Sequence, residues 1–434
     1  MRRYMVSALF MLGVTGCDEA KTASGTGSAH PATLEGSARR ADGDAGGAVI
    51  TVLHVQADGS TEADENGGAT ADAEGRYSVD IGVLGEGEAN LIVQAVYADG
   101  TSASALVVGT VAGGETRTAP PMDDESSAEA QLFVSLVASG ELSADSDDAA
   151  LLRAFVDSSV AAAWEDASAS ERAVVASASA AATASWRASA EASGEGESAM
   201  SGYIDALIEA DADADAEADS GGGYGLDAFG ALESAWTSSG GSMSDLAYAM
   251  NAASEANLTV SGSTSGSAVS EASSLLLDLR AQVTASAVEA AWASYEPSSS
   301  DEAEQTDDDL LADVSAIVET SGDALNSSWD AAMGSWSADL LAQLSATLTV
   351  EQAAVYSLAL TVAVSAQAEL ALAIDSASQQ GAEATGEAIA QAYAEYRESI
   401  EASLTASLTA SGAFDAAQIE ALVQITALAY ANPV

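Results

Sequence analysis

The chain has 434 residues and carries 67 Asp and Glu against 12 Lys and Arg, a formal charge of −55. Its arginines are scattered and Lys21 is its one lysine, so no basic cluster exists to neutralise phosphates; nucleic acid is excluded as a partner, and cations or basic proteins are the charge-compatible ones. The same lysine count excludes a P-loop and a Schiff-base enzyme, and with only His30 and His54 a histidine-based zinc site would need both.

Self-repulsion on this scale destabilises a compact state unless salt screens it, and the Debye length falls from about 10 Å at 0.1 M to about 3 Å at 1 M. The composition therefore points to a saline habitat. Apolar residues make up 48% of the chain, but alanine supplies much of that and aromatics only 5%, which predicts a core of shallow side chains. With one cysteine, disulfides contribute nothing to the fold.

The N-terminus opens with Arg2 and Arg3, runs uncharged from Met5 to Gly13 and closes on Val14-Thr15-Gly16-Cys17. A charged start, a short apolar core and small residues before a cut site are the parts of a secretory signal, and this core is too short to cross a bilayer. The cut site resembles the lipobox of bacterial lipoproteins. That resemblance implies cleavage after residue 16, diacylglycerol on the Cys17 thiol and an N-acyl chain on its new amino group. Several acyl chains on one residue anchor almost permanently, where one chain binds marginally. The expectation is an envelope protein whose partner is the membrane, through its lipid, with the outer membrane or cell surface favoured over the inner membrane. Residues 17–33 are small and polar and read as a flexible tether.

From Leu34 to residue 118 the texture is β. Short runs at Ala48–Leu53, Arg76–Ile81, Asn90–Tyr97 and Ser104–Val111 are separated by turn clusters such as Asp42-Gly43-Asp44, Glu65-Asn66-Gly67-Gly68 and Asp99-Gly100. A small antiparallel sandwich follows. Leu34-Glu35-Gly36, Gly47-Ala48-Val49-Ile50-Thr51-Val52 and Asp72 to Tyr77 resemble the carboxypeptidase-regulatory-like (transthyretin-like) module, with Ala71 an insertion relative to its pattern. The resemblance implies a non-catalytic spacer or docking domain in which Gly75 makes a tight turn and Tyr77 is a core aromatic.

After a linker at 119–125, residues 126–434 are rich in Ala, Ser and Glu at helical spacing, which predicts a large all-α bundle or array divided near 211–224. Helix starts are read at Ser126 with Glu129, Ser168 with Glu171, Thr349 with Gln352 and Asp415 with Gln418, where a side chain can cap the first turn. Stops are read at Gly140, Gly194, Gly221 to Gly223, Gly240-Gly241 and Gly412. Trp329, Met333, Trp336 and Leu340 share one helical face and predict a core stripe. The look-alike pieces Val160–Trp164, Leu232–Trp236 and Val288–Trp292 are unequally spaced, so a regular solenoid is not indicated. Residues 352–368 are uncharged; at this length, rich in Ala and Ser, a central buried helix is expected before a membrane span.

No catalytic constellation stands out, so no catalytic or cofactor-binding residue is assigned and the expected role is non-enzymatic, structural or interactive. The nearest thing to a nucleophile elbow, Gly262 to Gly266, has Thr264 where serine is required. Two alternatives stay open. Asp211, Asp213 and Asp215 begin like a calcium loop, although Ala216 and Gly222 stand where its glycine and glutamate belong. A carbohydrate-active enzyme would need only a suitable carboxylate pair.

Overall fold

The computed structural model describes residues 30–40, 45–83, 87–192, 198–205, 228–262, 264–295 and 323–432. It has two layers of β-sheet at the N-terminal side followed by a helical domain. The strands are β1 (His30–Ser37), β2 (Val49–Val55), β3 (Thr61–Thr70), β4 (Arg76–Val83), β5 (Glu88–Val96), β6 (Ser102–Val111) and β7 (Thr116–Thr118). One sheet has the order β4-β1-β7, with β1 antiparallel to β4 and parallel to β7; the other, all antiparallel, runs β3-β2-β5-β6.

The pleat explains the pairing. On β4 the alternate residues Tyr77, Val79, Ile81 and Val83 turn inward, and they share a core with Ile50 and Val52 of β2 and Val93 and Ala95 of β5. Strands β5 and β6 are buried on both faces, because Ile92, Leu106 and Val108 point away from this core into that of the helical domain. The turn into β4 needs Gly75: its φ is +81°, and a Cβ there would lie 2.4 Å from the Ala38 carbonyl. The Asp72 carboxylate closes the same turn, accepting from the Glu74 and Arg76 amides at 3.0 and 2.8 Å.

Two expectations for this region are corrected. His30 to Thr33, read as tether, are the first half of β1. Glu65 to Gly68, read as a turn, lie inside β3, an edge strand that is mostly exposed and carries a register shift opposite Thr51 and Leu53. An edge strand facing water needs no apolar alternation, so its polar sequence looks like a loop.

The helices are α1 (Asp124–Ser139), α2 (Ser158–Asp166), α3 (Ala169–Ala192), α4 (Ala228–Ser238), α5 (Met243–Ser261), α6 (Ser267–Tyr295), α7 (Asp323–Thr347), α8 (Val350–Ala377), α9 (Ala382–Ser411) and α10 (Ala416–Ala429), with a 3-10 helix at Asp147–Phe155 and a short helix at 198–205. Capping boxes at Thr349–Gln352 and Asp415–Gln418 start α8 and α10, and Gly140 and Gly412 close α1 and α9 in left-handed conformations, as the sequence predicts. The start of α1 falls earlier than expected. Asp123 is its cap and Ser126 is the third residue, returning the bond, while Glu129 is buried against Arg153.

Helix α6 lies at the centre, touching α2, α3, α4, α5, α10 and the 3-10 helix. Alanines and serines let these helices approach closely: a Cβ on Gly386 of α9 would lie 2.2 Å from the Ala181 carbonyl of α3. Trp186, Trp236, Trp292 and Trp329 fill the larger gaps and are almost fully buried, and the whole stripe Trp329, Met333, Trp336, Leu340 is core. Helix α8 reverses the expectation of a central helix. It lies on the outside, buried along one stripe against α9 and α10, while Val350, Leu358, Val364 and Leu372 are exposed.

Candidate functional site

The most concentrated chemistry in the described residues is a buried polar hub around Arg280. On α5, Asn251, Ser254 and Glu255 fall at i, i+3 and i+4 and so share the face that meets α6. Arg280 of α6 is fully buried there. It donates to the Asn251 and Asn432 carboxamide oxygens and, at 3.1 Å, to the Ser254 hydroxyl, and one of its nitrogens lies 3.8 Å from the Glu255 carboxylate. The guanidinium stacks 4.9 Å from the Trp329 ring, and the Trp329 indole donates to the Asn432 carboxamide at 3.2 Å. Asn432 completes the hub, donating to Asp330 at 3.4 Å and accepting at its carbonyl from Gln367 of α8. Four helices and the segment after α10 are thereby joined around one cation.

The electrostatics follow from burial. Removal from water pushes the Glu255 carboxyl up to about 7, with the Arg280 charge opposing and the Asp330 charge assisting. Asp330 and the Tyr393 hydroxyl are also raised by burial, and that hydroxyl donates to the Ala431 carbonyl at 3.0 Å. A buried arginine with its donors satisfied is costly to place and costlier to break, which makes this hub a joint.

Next to it lies a cavity of about 340 Å³ between α3, α5 and α9, lined by Ser189, Asp245, Tyr248, Tyr393, Arg397 and Glu401. Arg397 donates to Asp245 and, at 2.8 Å, to Glu401, with its guanidinium 4.7 Å from the Tyr248 ring. The cation is thus matched by two carboxylates. The Tyr248 hydroxyl is buried and has no hydrogen-bond partner among the described residues.

A third centre sits at the start of α1. Glu125 is pushed up to about 8, first by burial and then by the charges of Asp123, Asp157 and Glu129. Elsewhere on the seam between the β layers and the helices, Asn90 holds the two together from a left-handed conformation, φ +50°. Its carboxamide donates to the Ala144 and Ser146 carbonyls at 3.0 and 2.8 Å and accepts from the Gly109 amide at 2.9 Å.

Of the residues singled out in the sequence, Cys17 and Asp211, Asp213 and Asp215 lie outside the described residues. His54 of β2 is hydrogen-bonded to Asp64 at 3.0 Å and lies 3.6 Å from Glu88. Among the described residues no group of three or more His, Cys, Asp or Glu side chains could hold a metal ion. The Arg280 hub was missed in the sequence, yet it left a signal: an arginine flanked on its own helical face by Leu276, Leu277, Val283 and Thr284 has to be buried with its partners. No family model matches the chain, and no curated protein or solved structure matches it either.

Proposed function

We propose that this chain is a lipid-anchored protein of the bacterial cell envelope whose folded body has a non-enzymatic, structural or interactive role. The observation that carries the reading is Val14-Thr15-Gly16-Cys17 behind Arg2, Arg3 and an uncharged run, with Cys17 the chain's one cysteine. Two structural features support it. The strongest polar centres, Arg280 with Glu255 and Arg153 with Glu129, are spent on joining helices inside the protein. Asn90, together with the apolar contacts of Ile92, Leu106 and Val108, joins the β layers to the helices, so the body presents a joined surface to a partner. The strong acidity selects cations or basic proteins as that partner.

The test is the intact mass of the N-terminal peptide from detergent-extracted protein. Cleavage after residue 16 with diacylglycerol and an acyl chain on Cys17 is expected, and Cys17→Ser should leave the leader uncleaved and unlipidated. A wild-type chain whose Cys17 thiol still reacts with maleimide would overturn the proposal.

A further inference from the structure

Helix α8 is the one described helix long and apolar enough to cross a membrane, yet only 28% of its most apolar stretch is buried in the fold. Of the six large apolar side chains exposed among the described residues, four are on its outer face: Val350 at 91%, Leu358 at 73%, Val364 at 53% and Leu372 at 71% exposure. Between Glu351 and Glu369 the helix carries no charge, on a chain whose net charge is −55.

The outer face has a symmetry. Three residues to either side of Thr361 stand Leu358 and Val364; four to either side, Ser357 and Ser365; seven, Ala354 and Ala368; eleven, Val350 and Leu372. Each pair matches in kind, and all nine side chains are exposed. The acids break the pattern in a useful way: the positions mirroring Glu351 and Glu369 are Ala371 and Ala353. When two copies of a helix pack antiparallel about a two-fold axis, each residue meets its mirror position on the other copy, and the same patch serves both partners. An axis at Thr361 would set apolar against apolar, hydroxyl against hydroxyl and no acid against an acid.

We propose that α8 is a self-association surface through which two copies of this chain pair, antiparallel, about a two-fold axis at Thr361. Charge selects the occupant. Surfaces of like charge repel, and the uncharged run of α8, about 25 Å at 1.5 Å per residue, is where two such molecules can meet with the least repulsion. Size sets the strength. A helix of 28 residues is about 42 Å long and offers a strip of roughly 400–500 Å², against the ~800 Å² per partner of a standard stable interface. The pairing is therefore reversible and tightens as salt screens the acidic flanks.

The experiment places one cysteine on the axis. Thr361→Cys in the full chain, oxidised with copper phenanthroline in the cell fraction that holds the protein, should give a disulfide-linked species of twice the mass. The parent chain and Gln391→Cys, on the exposed face of α9, should not. Chains carrying Leu358→Cys and Val364→Cys should cross-link when mixed and give several-fold less product apart, while adding Leu358→Glu to Thr361→Cys should abolish most of it. Equal cross-linking at Thr361→Cys and Gln391→Cys would mean random collision and would overturn the proposal. So would absence of the product, whether the Thr361→Cys thiol reacts freely with aqueous maleimide, leaving the face bare, or is shielded, giving it to a lipid surface or a different protein.

Discussion

Helices α6 and α8 have nearly the same length and exchange the positions that their compositions suggest. Helix α6 carries Glu271, Asp278, Arg280 and Glu289 and sits in the middle of the bundle; α8 is uncharged for most of its length and lies at the edge. Burial here is decided by neighbours. Helix α6 is packed against neighbours along most of its length, so a charge on its inner face must find partners, and Arg280 does so with two asparagines, a serine, a glutamate and a tryptophan face. Helix α8 has α9 and α10 on one side and nothing described on the other, so its apolar surplus stays outside.

The sharpest way to break the contrast is Arg280→Ala, which leaves Glu255 and two carboxamides without their cation and empties the space against Trp329. A loss of about 3–5 kcal/mol is expected in urea unfolding. Arg280→Met should cost clearly less, because an apolar chain of similar length refills the space. Trp292→Ala on the same helix should also cost about 3–5 kcal/mol, by leaving a cavity among side chains too tightly packed to collapse into it.

Acidity offers a gentler probe of the same joint. Glu255 has its carboxyl near 7 in the folded protein against an ordinary value of 4.5, so the folded state holds the extra proton between those values. The stability this group contributes is therefore present below about 4.5 and is lost as the pH rises towards 7. Exposed acids shift the melting temperature in the same direction by repulsion, which makes the difference between wild type and Glu255→Gln the informative quantity: the variant should melt with a flatter pH profile across that window. A Glu125→Gln variant should flatten it up to about 8. The smallest effect belongs to α8. Leu372→Ser, measured at low protein concentration, should change folding stability by less than about 0.5 kcal/mol, the range of ordinary surface substitutions.

Much of the fold was legible in local chemistry. Thr349 with Gln352 and Asp415 with Gln418 mark helix starts because a cap is a contact between residues three apart, and Gly140 and Gly412 mark ends because the left-handed cap conformation favours glycine. The box read at Ser126 slipped by three residues because Asp123 competes for the same role, and both spacings look alike in a sequence. Strand β3 was hidden because Glu65, Asn66 and Gly68 face water, where sheet pairing leaves no apolar trace. Of the candidate site, the isolated Arg280 was visible, but Asn432 lies 152 residues away and no period in the chain links the two.

That separation has a consequence for the order in which the protein can be built. A chain emerging from the ribosome exposes Arg280 long before Asn432 exists, so the hub remains open through the synthesis of α7, α8, α9 and α10. Contacts so distant along the chain also close slowly, because the intervening loop must be organised first. The helical core is therefore locked only after α10 and Asn432 have been made, and a nascent chain stays loose until then. If the chain is exported as proposed, such lateness would help it to thread through a translocation channel before it folds.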